Sequence, residues 1–300
     1  MTNPPYLKKG DKIAITCPAK ILKAPMTDAI ALLESWGLEV VLGKTMDAVH
    51  HQFSGTDELR AADLQEFIND SSIKAIIAAR GGYGCIRIID KIDWTPLVFA
   101  PKWLIGFSDI TVFHMQLQTM GLQSLHAQMP STIAESSKAG LETLRKALFN
   151  EDFNYVFDYD PANKLGAAEG ELVGGNLTLL SACIDANNDL DYTDKILFIE
   201  DVGEYPYVID RMIRTLERAG KFKNLKGLIV GGFTDIKEND PPFGYSIEEI
   251  INAAVEKYDY PVCFNFPAGH IPDNRALILG RKVRMNIHAE GSEISYSSIQ

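Results

Sequence analysis

The feature that most constrains this chain is the alternation, through its first half, of short apolar runs with amphipathic stretches. KIAIT (12–16), LEVVLG (38–43), IKAIIAA (73–79), KWLIGF (102–107) and QSLHAQ (123–128) read as strands. Between the first two, Ile30, Leu32, Leu33 and Trp36 recur at helical spacing over 26–36, and the pattern stops at Gly37. Thr56 stands where its hydroxyl would accept an orphan amide proton of a helix over 57–69. Gly81-Gly82-Tyr83-Gly84 turns into a short helix, and a further helix is expected from Asp109 to Met120. The third run is almost wholly apolar, as a strand covered on both faces must be. Strand-helix-strand order of this kind implies a doubly wound, mainly parallel sheet.

The rhythm breaks after residue 134. One helix is expected at 140–149, followed by the aromatic and acidic stretch DFNYVFDYDPANK, read as a linker or crossover. A second α/β unit follows, with a helix after Gly174-Gly175-Asn176, strands at KILFIE (195–200) and GLIVGG (227–232), and helices near 207–219 and 246–257. The terminal RKVRMNIHAEGSEISY alternates around a Gly turn, the pattern of an antiparallel hairpin. The expected division is a first domain over 1–134, a linker over 135–167 and a second domain over 168–300.

Composition narrows the function classes. With 46% hydrophobic and 23% charged residues, the 300-residue chain reads as globular and large enough to bury full cores. Nothing approaches the ~18 consecutive apolar residues of a membrane span. The opening MTNPPYLKKGDK lacks the apolar run of a signal peptide, so the cytoplasm is the expected compartment. Residues 1–134 hold twelve basic and thirteen acidic side chains, and residues 135–300 hold seventeen and twenty-seven. Neither half is a basic platform for nucleic acid or an anionic membrane, which leaves a small or peptide-like ligand. The four cysteines form no CxxC pair and the six histidines no HxH or HExxH, so neither a metal site nor a disulfide framework is expected.

Four segments could carry chemistry. In Ile105-Gly106-Phe107-Ser108-Asp109-Ile110-Thr111 a buried strand ends in Gly-x-Ser and a helix begins at once, the pattern of a nucleophile elbow; Ile110 replaces the usual second Gly. Ser and Asp are also favoured helix caps. Arg80-Gly81-Gly82-Tyr83-Gly84 follows a strand, where glycines let backbone amides approach a ligand; it is not GxGxxG, and an oxyanion donor or a plain tight turn both fit. Glu200, at the end of an apolar strand in LFIEDVGE, could orient an imidazole, cap a helix or bind a metal. His270 lies in the Gly/Pro loop PAGHIPDN, either as a general base or simply solvated. His50, His51, His114, His126 and His288 have no comparable context.

RGGYG (80–84), IGFSDIT (105–111), GGNLTLL (174–180), LFIEDVGE (197–204) with DRMIRTL (210–216), and FPAGHIPDN (266–274) occur together and in order. In these the chain resembles the serine-type LD-carboxypeptidases, the muramoyl-tetrapeptide carboxypeptidase family that includes the microcin C self-immunity peptidases. One departure is Thr16-Cys17-Pro18-Ala19, where many relatives carry Ser-rich residues beside the Pro. The resemblance implies Ser108 as nucleophile, Glu200 as orienting acid, His270 as general base, and the backbone amides of Gly82 and Asp109 as the oxyanion hole. It implies a Rossmann-like domain with the nucleophile and an α/β domain with a barrel-like β part carrying the acid and base. It further implies no cofactor and no metal, a homodimer, and release of the terminal D-Ala from a murein tetrapeptide. An aminoacyl-nucleotide of the microcin C type is the alternative substrate. A non-catalytic small-ligand binder and a nucleotide-dependent oxidoreductase are the readings from other classes. Arg80, Arg211 and Arg275 lie near the motifs as candidate partners for a substrate carboxylate.

Overall fold

The computed structural model describes residues 1–296. The chain divides into two compact units, Met1–Asp152 with Pro272–Leu279, and Phe153–Ile271 with the residues from Gly280 on. Among the described residues no helix is long and apolar enough to cross a membrane.

The first unit follows the alternation of its sequence. Strand β1 (Lys12–Thr16), helix α1 (Thr27–Ser35), β2 (Glu39–Leu42), α2 (Asp57–Asn69), β3 (Ile73–Ala78), the single turn α3 (Pro96–Phe99), β4 (Trp103–Gly106), α4 (Thr111–Thr119), β5 (Ser124–His126) and α5 (Lys138–Phe149) appear in order. Thr56 caps α2, its hydroxyl accepting from the Leu59 amide at 3.2 Å. Residues 277–279 return as β11 (Leu277–Leu279), giving the strand order β11-β5-β4-β3-β1-β2. Every pairing is parallel except β11 with β5. Because β1 is flanked by β2 and β3, crossovers leave it in opposite directions, and the carboxyl ends of β1 and β3 open a crevice where ligands bind in such sheets. The loops that begin at Cys17 and Ala79 start there, and the turn after β4 lies on the next strand.

The second unit carries β6 (Asn154–Phe157), β7 (Gly166–Asn176), α6 (Leu177–Ala182), β8 (Lys195–Val202), α7 (Pro206–Arg218), β9 (Gly227–Thr234), α8 (Ile247–Val255), β10 (Val262–Cys263), β12 (Lys282–His288) and β13 (Gly291–Tyr296). Its sheet runs β10-β9-β8-β7-β12-β13-β6. β7 to β10 are parallel, while β12, β13 and β6 pair antiparallel, with the expected terminal hairpin formed by β12 and β13.

Two expectations need correction. The stretch 135–167, expected as a linker after the helix at 140–149, holds β6, an edge strand of the second sheet, while that helix, α5, belongs to the first unit. The cause is aromatic packing: Tyr155 is fully buried, with its ring centroid 5.1 Å from that of Phe266, and Phe157 lies 5.5 Å from Phe266. Residues 272–279 belong to the first unit, because the apolar Leu277-Ile278-Leu279 finds its backbone partners on β5.

Candidate active site

Ser108 adopts φ +64°, in the left-handed region that a side chain with a β-carbon rarely enters. The chain around it is packed closely. Gly106 has φ +155°, and a Cβ built on it would lie 2.8 Å from Ile110 Cγ1. Strand and helix therefore approach so closely that only glycine fits two residues before the serine. Ile110, in the place of the usual second glycine, is the wall that Gly106 accommodates. A 3-10 turn (Ser108–Ile110) leads into α4, and the N-cap positions of the turn and of α4 fall to Phe107 and Ile110, neither making a side-chain cap. Ser108 and Asp109 therefore occupy neither N-cap position.

The turn is braced from α4. His114 is fully buried between the Gly106 carbonyl, 2.9 Å from Nε2, and the Ser124 hydroxyl, 2.8 Å from Nδ1. A carbonyl only accepts, so Nε2 carries the proton and Nδ1 accepts from Ser124. Burial pushes the imidazole pKa down to about 4 and keeps it neutral, although the bond to Gly106 pulls the other way.

The RGGYG loop lies against the elbow. A Cβ on Gly81 would be 3.0 Å from Ser108 Cβ, 3.2 Å from its Oγ and 3.3 Å from the Asp109 amide nitrogen. Gly82 (φ +115°) lies under the Lys20 side chain, where a Cβ would meet Cδ at 2.6 Å. Two of the motif's glycines thus serve close approach, Gly81 to the elbow and Gly82 to Lys20.

In the second unit, Glu200 is fully buried on β8 and its Oε2 lies 2.6 Å from His270 Nδ1. An ionised carboxylate only accepts, so Nδ1 donates and Nε2 is left as the basic nitrogen. Burial alone would lower the His270 pKa; the charge and hydrogen bond of Glu200, with Asp201 and Asp235 further off, outweigh it and hold the pKa above the usual histidine value. The loop is pinned by Thr234 Oγ1, which donates to the His270 carbonyl at 3.0 Å. Gly269 (φ +108°) is required, since a Cβ there would lie 2.8 Å from Glu200 Cβ. Gly231 and Gly232 at the end of β9 admit the same loop, and the Gly232 amide donates to the Ala268 carbonyl at 2.9 Å.

The neighbouring acid behaves differently. Asp201 accepts from Asn176 Nδ2 at 3.0 Å, the Thr178 amide at 3.0 Å and Thr178 Oγ1 at 2.8 Å, and so serves the start of α6. Burial, with Glu200 next, raises its pKa to about 6. Of the alternatives for this segment, imidazole orientation falls to Glu200 and helix capping to Asp201. Among the described residues no group of three or more His, Cys, Asp or Glu side chains is placed to hold a metal ion. Arg80 donates to the Ile21 carbonyl at 2.9 Å, Arg275 pairs with Asp273 at 3.0 Å, and Arg211 lies over the Tyr207 ring. His114 has no distinguishing context in the sequence, and only its closeness to Ser108 along the chain could have signalled it; Gly81 and Gly269 lie inside the RGGYG and PAGHIPDN motifs.

Models of the LD-carboxypeptidase N-terminal domain and the LD-carboxypeptidase C-terminal domain match residues 13–127 and 169–285. The probable murein peptide carboxypeptidase of Bacillus subtilis is 36% identical over 295 residues, covering 94% of this chain and 91% of that one. The crystal structure of muramoyltetrapeptide carboxypeptidase from Oxalobacter formigenes superposes with a TM-score of 0.88 at 29% identity, covering 96% of this chain and 99% of that one. The microcin C7 self immunity protein MccF in complex with aspartyl sulfamoyl adenosine has a TM-score of 0.85 at 20% identity and 98% coverage of both, a likeness of fold.

Proposed function

The chain belongs to the LD-carboxypeptidase family, and from that premise we propose that it is a serine carboxypeptidase releasing the terminal D-Ala of murein tetrapeptides through Ser108, Glu200 and His270. The observation that carries the reading is the φ of +64° at Ser108, held at a strand-to-helix elbow beside the RGGYG backbone. Such strain persists only where the surroundings over-determine it, and it lifts the hydroxyl out of the turn.

Ser108 Oγ attacks the carbonyl carbon of the residue preceding D-Ala, and His270 Nε2 takes the hydroxyl proton. The carbonyl oxygen becomes an oxyanion that accepts from the Gly82 and Asp109 amides. As the tetrahedral intermediate collapses, the bond to the D-Ala nitrogen breaks and the imidazolium returns its proton to the leaving amine. Water, deprotonated by the same imidazole, then hydrolyses the acyl-enzyme and frees Ser108. Glu200 holds the productive tautomer and stabilises the imidazolium throughout. No metal or cofactor enters this scheme.

The reading includes a homodimer, as the family resemblance implies, which light scattering on the purified chain would check. The test of the activity is D-Ala release from a tetrapeptide ending in D-Ala and from its L-Ala isomer. The wild type should cleave the first with clear preference and Ser108→Ala neither. Equal rates on both isomers would remove the LD assignment, and an active Ser108→Ala would remove the serine mechanism. An aminoacyl sulfamoyl adenosine run beside the tetrapeptide tests the alternative substrate class.

A further inference from the structure

The loop bearing Gly82 is tethered at its far end by the residue after the nucleophile. Asp109 is almost fully buried, and its Oδ2 accepts from the Cys85 amide at 2.8 Å. One residue earlier, the Gly84 carbonyl accepts from Arg60 Nη1 at 3.0 Å. Arg60 is itself fully buried on α2, where it also donates to the Pro18 carbonyl and to Asp57, with its guanidinium carbon 4.8 Å from the Phe53 ring centroid. Gly84 (φ +141°) leaves room for this guanidinium, since a Cβ there would lie 2.6 Å from Nη1. The near end of the loop touches the elbow at Gly81. The chain thus closes a ring, from the Asp109 backbone through its carboxylate to Cys85, along the loop to Gly81, and back to Ser108 and Asp109. Burial pushes the Asp109 carboxyl pKa up, while the Cys85 hydrogen bonds and the charges of Arg60 and Lys20 oppose that rise.

We propose that the Asp109 carboxylate is the positioning group of the oxyanion hole, clasping Cys85 so that the Gly82 amide is fixed against Asp109's own amide before substrate arrives. This rests on the reading that those two amides are the oxyanion donors. Donors aimed in advance need no reorganisation as charge develops, and that accounts for most of what an oxyanion hole contributes. Arg60 acts on the same loop from the other side, by fixing the carbonyl next to the clasped amide.

Side-chain substitutions test the clasp cleanly, because they leave the Asp109 N–H in place. Asp109→Ala should lower kcat about 10–100-fold, the scale of misplacing a catalytic donor by about 1 Å, with KM within about threefold of wild type. Asp109→Asn keeps an acceptor oxygen for Cys85 and should stay within about fivefold of the wild-type kcat. A peptidyl boronate, which forms a tetrahedral adduct on a nucleophilic serine, should bind Asp109→Ala more weakly by the same factor as the kcat loss. The product tripeptide should bind unchanged, whereas a merely structural defect would weaken both. A folded Asp109→Ala with wild-type kcat, or a soluble Asp109→Asn with kcat reduced 100-fold, overturns the proposal. The Asn variant decides the matter alone if the Ala variant does not fold. Ser108→Ala, measured beside them, separates the two claims: its retention of activity would sink the functional reading, while its inactivity with an unaffected Asp109→Ala would sink the clasp only.

Discussion

The surroundings of Ser108 and of His270 reach fixed geometry by different means. Ser108 is held by backbone: a strained φ, two glycines that permit unusually close approaches, and a buried neutral His114 gripping the carbonyl of Gly106. His270 is held chiefly by charge: a fully buried carboxylate lies 2.6 Å from Nδ1, and the histidine's loop is also pinned by Thr234. The difference follows the chemistry each is proposed to perform. A nucleophile must present one oxygen beside backbone donors, which is a matter of shape. A base must hold a proton of tuned affinity, which is a matter of electrostatics. Substitutions around Ser108 should therefore act through geometry and be indifferent to pH, whereas those around His270 should move a pH profile.

The largest effect tests whether the two regions form one device. His270→Ala should lower kcat by about 10⁵–10⁶, and adding Ser108→Ala should cost little more, because residues that act as a unit are not additive. Additive losses in the double variant would break the pairing. Glu200→Gln should be milder, about 10⁴, since the imidazole remains but its tautomer is no longer enforced.

The same variant sharpens the comparison through pH. The base works as the neutral imidazole, and Glu200 raises its pKa above the ordinary histidine value of 6.5. The acid limb of kcat/KM should therefore lie above pH 6.5 in the wild type and shift to lower pH in Glu200→Gln. An unmoved limb would mean that the titrating group is not His270. Around Ser108 the corresponding test is Gly106→Ala, which forces a Cβ against Ile110 and should lower kcat about 10²-fold with no displacement of the pH limb. A shifted limb there would erase the distinction between the two regions.

The smallest effect is on stability. The folded-state pKa of His114 is lowered to about 4 from 6.5, so its contribution is fully present above pH 6.5 and fades as pH falls towards 4. The loss amounts to about 3 kcal/mol for a group this buried. Denaturant unfolding of His114→Gln should show a flatter decline across that window than wild type; equal slopes would place the imidazole outside the core of the elbow.

How far the sequence reveals this arrangement also differs between the regions. The elbow is legible because Gly-x-Ser at the end of an apolar run is a local pattern, and Thr56 and its helix are legible for the same reason. Local pattern does not by itself separate Glu200 from Asp201, and it is the family resemblance that singles out Glu200. The two acids are adjacent on one strand, so they point to opposite faces, and only the packing of the sheet decides which meets an imidazole. The strand Asn154–Phe157 is masked by its acidic flanks, and the return of Leu277–Leu279 to the first unit depends on pairing with a strand some 150 residues earlier in the chain. His114 looks like any helical histidine until the Gly106 carbonyl is seen against it.

The central claim is that Ser108 is the nucleophile, and covalent labelling tests it most directly. The protein is treated with a fluorophosphonate, digested, and the modified peptide sequenced by mass spectrometry. The account predicts one adduct, on Ser108, formed at least 10²-fold more slowly in His270→Ala because the hydroxyl then lacks its base. An active enzyme that carries no adduct, or carries it on a residue other than Ser108, would contradict it.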